Sequence, residues 1–380
     1  GYVSDRRYLG ATVGRVANRI AKGRFVVDGV EYQLDVNNGP NALHGGLRGF
    51  SKALWRAQPV DAGVQLSLTS PDGDQGYPGE VQVWLTYTLQ ASRTTFAGGT
   101  LTAEYRAQAS KTTPINLTNH SYFNLAGQGA ADVYDHQVSI RAPWYLPVDQ
   151  TSIPTEERLW PPCLDGADVG PAHLLAGEVR AVDGTVFDLR EPVLLGPRLK
   201  ELPEPGFDHN FCLCLSGDAW KERAAARVYH PASGRVLEVS TSQPGLQFYT
   251  GNHLDGSLLG KGGSAYGRHS SLCLETQNWP DAVNQVSRTA PPRPRPRSTL
   301  APSVCVCVCV CVCSGLLPQL SAACWRPLPS CDPLQLHHSL RTPGGPSSFQ
   351  SVTSWLLTGH QLASRLEPLV LPLFAGICLL

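Results

Sequence analysis

The sequence predicts an all-β fold of antiparallel sheets packed as a sandwich or barrel, and three observations predict it. Runs of β-branched and aromatic residues alternate with polar ones at a period of two. Clusters of Gly, Pro, Asn and Asp separate those runs. No apolar stripe of period 3.6 runs convincingly beyond two turns. Many strands without intervening helices favour antiparallel sheets.

Taken in order, residues 24–34 set two β-prone runs around Asp28-Gly29, a pair suited to the positive φ angles of a tight hairpin turn. Residues 65–69 form the next run, closed by the turn cluster Ser70-Pro71-Asp72-Gly73-Asp74. Val81, Val83, Leu85, Tyr87 and Leu89 alternate with Gln82, Trp84, Thr86 and Thr88, as in a strand with one buried face. Further strands are expected at 101–108, 225–230, 236–241, 246–250 and 271–276.

The 380 residues are 42% hydrophobic and 16% charged, enough to bury a core, which excludes collagen-like, coiled-coil and wholly disordered classes. A formal net charge of zero gives no overall basic excess for nucleic acid or an anionic membrane. That neutrality is a sum of two unlike parts. Up to Gln285 there are 29 acidic and 24 basic residues; after it there are 2 acidic and 7 basic, so −5 is cancelled by +5. The later part also holds 13 of the 31 prolines and 8 of the 12 cysteines. Methionine is absent, so the start of the protein is expected to lie upstream of Gly1.

Residues 286–380 are therefore expected to be a low-complexity tail, disordered or not native to the fold. Its Val-Cys alternation from Val304 to Cys313 is open to two other readings, a strand with a thiol face or a metal tract, although metal sites place a turn between ligand pairs. Val-Cys is also what a GT dinucleotide repeat encodes in any frame, and Gln285-Val286-Ser287 can be written as an exon end followed by a splice donor. Residues 366–380 are apolar, yet fifteen residues interrupted by Glu367, Pro368 and Pro372 fall short of the ~20 that cross a bilayer.

Before Gln285, several segments carry more polar chemistry than strands and turns require. They are 14–19, 41–46, 116–124, 206–210, 243–252 and 275–280. None matches a phosphate loop or a dinucleotide fingerprint. His44, His120 and His209 have no common zinc spacing. What the segments share is Asn, Arg, His, Asp and Gln, which hydrogen-bond neutral hydroxyls, with Trp279 and Phe248 available to stack on an apolar face. Glu275 follows the apolar run Leu272-Cys273-Leu274 and precedes a Trp-Pro turn, the position of a general base or of an exposed strand end.

Residues 14–23, Leu43-His44-Gly45-Gly46, 116–124, 206–211, 243–252 and 275–284 resemble, densely and in order from about Gly10 to Gln285, the galactose mutarotase (aldose 1-epimerase) family of the vertebrate type. The resemblance implies a large antiparallel β-sandwich over residues 1–285, the supersandwich of that family, incomplete at both termini. Residues 91–97 and 156–176 stand out as insertions. The implied activity is interconversion of the α and β anomers of D-galactose and D-glucose by acid/base ring opening and reclosure, with no metal or nucleotide.

By the same resemblance Glu275 is the proton acceptor at O1 and His120 the proton donor at the ring oxygen. Asn18, Arg19, His44, Ser121, Tyr122, Asp208 and Gln247 are implied as substrate-binding residues. The expected partner is a small aldose, with no nucleic acid or membrane, for a monomeric cytoplasmic enzyme whose cysteines suit a reducing compartment. The alternative is a non-catalytic carbohydrate-binding remnant or an unstable truncated isoform, since missing strands leave open edges. A β-sandwich glycoside hydrolase needs two carboxylates, for which only Glu275 with Asp208 offers itself. A sugar-phosphate epimerase would want a basic cluster where Arg19 stands alone.

Overall fold

The computed structural model describes residues 5–91, 97–155, 179–203, 205–213, 222–285 and the backbone of 306–314. Strands dominate these residues, and the α-helix among them is the short Leu195–Glu201. The expected hairpin is present as Arg24–Val27 paired with Val30–Gln33, with Asp28 and Gly29 at φ 51° and 79°. The remaining expected strands are also present, most of them extended by one or more residues: Gly63–Ser70, Val81–Ala91, Ala97–Ala109, Arg223–His230, Arg235–Thr241, Gly245–Tyr249 and Cys273–Gln277.

Two antiparallel sheets make the sandwich. The larger has nine strands among the described residues, in the order Val193–Leu194, Gln137–Ile140, Arg223–His230, Arg235–Thr241, Val306–Ser314, Ala97–Ala109, Val81–Ala91, Gly63–Ser70 and Arg56–Val60. The smaller has five: Arg180–Ala181, Trp144–Tyr145, Asp208–Cys212, Gly245–Tyr249 and Cys273–Gln277. One core cluster joins them, with Val138, Ile140, Val228, Leu237 and Val239 from the first packed with Phe211, Leu246, Phe248 and Leu274 from the second. The alternating face of Val81–Ala91 builds a second cluster, where Val81, Val83 and Leu85 meet Tyr105 and Ala107. Leu89, further along the same face, is 51% exposed, so the alternation outruns the core.

The pleat of the five-stranded sheet decides where chemistry can sit. Across three strands the register aligns Asp208 with Tyr249 and Cys273, then Asn210 with Gln247 and Glu275, then Cys212 with Gly245 and Gln277. Directly opposed residues share a face, so this face is polar. The intervening residues Phe211, Leu246, Phe248 and Leu274 face the core. Phe248 is thereby corrected: it is fully buried against Phe207 and Phe211 and offers nothing to a ligand. His209 likewise lies against Phe187 and Tyr145, away from the polar face.

The tail departs from expectation at one place, since a regular element was not expected to form there. Val306–Ser314 is a strand pairing antiparallel with Arg235–Thr241 on one side and Ala97–Ala109 on the other. Its register sets Val308, Val310 and Val312 opposite the buried residues Thr241, Val239 and Leu237, and sets Cys309 and Cys311 opposite Ser240 and Glu238. A period of two suits a strand at this position. The segments 92–96, 156–178, 286–305 and 315–380 lie outside the described residues, and with them nearly all of the expected insertions and the apolar run 366–380. No helix of the described residues is long and apolar enough to cross a membrane.

Candidate active site

Glu275 and His120 meet over the polar face of the five-stranded sheet. Glu275 is the middle residue of Cys273–Gln277, and His120 ends the strand Thr118–His120, which pairs with Ala11–Val13. Glu275 Oε1 lies 3.5 Å from His120 Nε2, and the two side chains are 3% and 7% exposed. Burial acts oppositely on them. It penalises the imidazolium and lowers the His120 pKa to about 4, and it penalises the carboxylate and holds the Glu275 pKa well above its usual range, with the negative charge of Asp208 adding and Arg19 opposing.

His44 reaches the same point from the loop after the short strand Ala42–Leu43. The Asn18 backbone N–H donates to His44 Nδ1 at 3.1 Å, and the His44 backbone N–H donates to the Asn18 carbonyl at 3.0 Å. Since Nδ1 is an acceptor, the neutral ring carries its proton on Nε2. It is neutral because burial, then His120, then Arg19 push its pKa well below the usual value. The His44 and His120 rings meet edge to face at 5.6 Å, and one ligand atom each from His44, His120 and Glu275 falls within 4.8 Å of the others.

The flanks are hydrogen-bond donors and acceptors already held in place. Gln247 Nε2 donates to Asp208 Oδ1 at 2.8 Å, Arg19 lies 4.0 Å from Asp208 Oδ2, and Arg19 Nε donates to Asn38 Oδ1 at 2.9 Å. Among the described residues, Glu275 Oε2, Gln247 Oε1 and both polar side-chain atoms of Asn210 are buried without a protein partner. Unpaired buried acceptors and donors are costly, and these cluster beside the carboxylate–imidazole pair. Trp279 is only part-buried and lies over Gly245, donating from Nε1 to the Pro244 carbonyl at 3.2 Å.

Asn18, Arg19, His44, His120, Asp208, Gln247 and Glu275 are thus linked by these contacts, while two expected binding residues are engaged elsewhere. Ser121 Oγ donates to the Asn119 side chain, which in turn reaches Tyr87. Tyr122 spends its hydroxyl on the Arg7 carbonyl at 2.7 Å and contributes a wall, its ring stacked on His120 at 5.0 Å. Arg15, in the same polar segment as Asn18, is structural: it is 1% exposed and donates to the carbonyls of Pro78 and Gly79 at 2.9 Å and to Ser70 Oγ at 2.6 Å. Sequence reasoning passed over Tyr8, whose ring meets His44 at 4.6 Å and stacks on His120 at 6.1 Å, and Cys273, which touches His120. Neither carries a sequence signal beyond its residue type.

Gly45 explains the local geometry of His44. Its φ is +85°, and a Cβ there would lie 2.0 Å from the Gly14 carbonyl oxygen, so the loop bearing His44 crosses the Gly14–Asn18 segment in van der Waals contact. Gly45→Ala is expected to push the two apart, lowering activity at least about tenfold and stability by about 1–3 kcal/mol. Polarimetry and a thermal melt on the same preparation check both effects.

An all-β sandwich with a buried carboxylate–imidazole pair, ringed by hydrogen-bonding side chains, is the frame of an acid/base enzyme acting on a hydroxyl-rich molecule. The family model for aldose 1-epimerase matches residues 1–163 and 156–291, two stretches that meet at the segment expected to be an insertion. Over 285 residues the chain is 58% identical to the galactose mutarotase of Rattus norvegicus, covering 75% of this chain and 74% of that one. It is 35% identical over 288 residues to the aldose 1-epimerase of Escherichia coli, covering 74% of each. Among solved structures, an aldose epimerase homologue from C. elegans superposes with a TM-score of 0.65 at 28% identity, over 81% of this chain and 83% of that one. The chain belongs to the aldose 1-epimerase family.

Proposed function

We propose that the chain interconverts the α and β anomers of D-galactose, and of D-glucose, with Glu275 as the base at O1 and His120 as the acid at the ring oxygen. The observation that carries the assignment is the buried contact between Glu275 Oε1 and His120 Nε2. A pyranose seated there presents its O1 hydroxyl and ring oxygen, both bonded to C1, to groups set a few ångströms apart. Glu275 takes the O1 proton as His120 gives one to the ring oxygen, the C1–O5 bond opens, and C1 becomes an aldehyde. Rotation about C1–C2 and closure from the other face, with the two groups exchanging roles, delivers the other anomer. His44, its proton fixed on Nε2, donates to the sugar, and Asp208, Arg19, Gln247 and Asn18 hold the remaining hydroxyls so that the reacting atoms stay aligned.

Rival readings lack this fit. Asp208 is bound by Gln247 and faces Arg19, which suits a fixed acceptor better than the second carboxylate of a glycosidase. Arg19 is committed to Asn38 and Asp208, which leaves it poorly placed to hold a phosphate. A sugar-binding remnant would have no use for an acid/base pair withdrawn from water. The direct test is polarimetry on freshly dissolved α-D-galactopyranose: acceleration over the spontaneous rate is expected, and its absence, or release of sugar from an aryl glycoside, would sink the assignment.

The pH dependence follows from the pair. The reaction needs one proton shared between carboxylate and imidazole, and the two groups titrate as a unit. As pH falls through about 4, both groups become protonated and no base remains. As pH rises through the elevated Glu275 pKa, the last proton leaves and no acid remains. A bell-shaped kcat/KM profile is expected, with its acid limb near pH 4 and its alkaline limb above the ordinary carboxylate range; intrinsic fluorescence at each pH separates titration from unfolding.

A further inference from the structure

The polar segments 206–210 and 243–252 each give one residue to the sugar side, Asp208 and Gln247, and hold further polar side chains that the proposed function does not use. Those lie behind Asp208. Asp208 opens the strand Asp208–Cys212, and Gly206, two residues earlier, has φ +133°. A Cβ on Gly206 would lie 2.6 Å from Asn252 Oδ1 and 2.8 Å from Thr250 Oγ1, so these two side chains fill the space beside the corner. The peptide joining Phe207 to Asp208 is held from both sides. Its carbonyl accepts from Asn252 Nδ2 at 2.8 Å and from the Thr250 backbone N–H at 3.2 Å, and its N–H donates to His209 Nδ1 at 3.2 Å. The Phe207 N–H donates to Thr250 Oγ1 at 3.1 Å, and the Thr250 hydroxyl donates to Asn252 Oδ1 at 2.7 Å. We propose that Thr250 and Asn252 are positioning residues for the reaction: they fix the Phe207–Asp208 peptide, and with it the direction in which the Asp208 carboxylate leaves the strand toward the sugar.

Both side chains are committed away from the sugar. Thr250 continues the register opposite Phe207, whose ring packs in the core, so it lies on the core side of the sheet. Asn252 spends one side-chain atom on Thr250 and the other on Phe207, and the two residues are 0% and 3% exposed. An anchor is needed at this point because Asp208 begins its strand behind a glycine, the least restrained residue, and because its charge repels an ionised Glu275. Gln247 and Arg19 hold the carboxylate oxygens, and the clamp holds the backbone from which they project. A binding group has to stay within about 0.5 Å of its productive place, and a small tilt of this peptide swings the carboxylate by that much.

The proposal rests on Asp208 binding the sugar, and the experiment separates the two. Asn252→Ala and Thr250→Val are each made in the wild-type chain and in Asp208→Asn, and kcat/KM is read by polarimetry beside a thermal melt. Asp208→Asn alone is expected to lower kcat/KM by about 10- to 100-fold, the rate equivalent of a hydrogen bond to a charged group. Asn252→Ala and Thr250→Val should each lower it about five- to tenfold in the wild-type chain, and by less than about twofold once Asp208 is replaced, because the charge they aim is gone. Thr250→Ser, which keeps the hydroxyl, should recover most of the loss. A purely structural role would remove folded protein by the same factor in either background. Equal losses in the two backgrounds, no loss in the wild-type chain, or unfolding of both variants at the assay temperature would therefore overturn the proposal. An unchanged kcat/KM in Asp208→Asn would instead remove Asp208 from the sugar site, and the role of the clamp with it.

Discussion

Glu275→Gln is expected to lower the catalysed mutarotation rate by about 10²- to 10⁴-fold while galactose binding stays within about tenfold. The substitution keeps shape and one hydrogen-bonding oxygen but removes the base. Because Glu275 is 3% exposed and its Oε2 has no protein partner, the folded state now bears the cost of an ionisable group in a dry setting. The amide should relieve that cost, so the thermal midpoint of Glu275→Gln should equal or exceed that of wild type. Loss of rate with retained or raised stability is the signature of a catalytic group; loss of both would mark a structural one. His120→Gln should reach a similar floor. The double variant should be scarcely slower than either single, since acid and base act on one transition state. Rates from polarimetry and binding from galactose titration of tryptophan fluorescence separate these outcomes.

How much of this was legible in the sequence depended on what each segment does. Strands that only build the sheet declare themselves: Val81–Ala91 alternates cleanly because one face packs on Tyr105 and Ala107 and the other does not. Of the strands that carry the site, Gly245–Tyr249 and Cys273–Gln277 declare themselves and two others do not. Asp208–Cys212 opens with Asp-His-Asn and Thr118–His120 ends in Asn-His, residues of low β-propensity that tertiary pairing holds in strands for the sake of the pocket. The sequence reading therefore saw polar segments where the structure has strands, yet it picked Glu275, His120, His44 and Asp208 through the family resemblance. It could not place Phe248, because a residue beside Gln247 in sequence points to the opposite sheet face. Nor could it find Cys273 as a neighbour of His120: the two are 153 residues apart and meet only when Thr118–His120 folds across Cys273–Gln277.

Ending the chain at Gln285 is expected to cost more stability than any single substitution outside the core. Val306–Ser314 is the strand that links Arg235–Thr241 to Ala97–Ala109, so without it the nine-stranded sheet divides at that point. Two rows of backbone N–H and C=O groups would lose their partners, on strands whose core faces include Leu237, Val239, Ala103 and Tyr105. Ladder hydrogen bonds are worth about 0.5–1.5 kcal/mol each, so even a partial loss is on the order of 5 kcal/mol. That corresponds to a fall of about 10–20 °C in thermal midpoint for a domain of this size, with aggregation at the exposed edges. Scanning calorimetry and light scattering on the chain ending at Gln285, beside the full chain, measure both. A third chain with Val308, Val310 and Val312 all changed to Asp tests the register. If the valines paired opposite Thr241, Val239 and Leu237 are what seat the strand, this chain should melt with the truncated one, whereas a tail that plays no part would leave all three melting together.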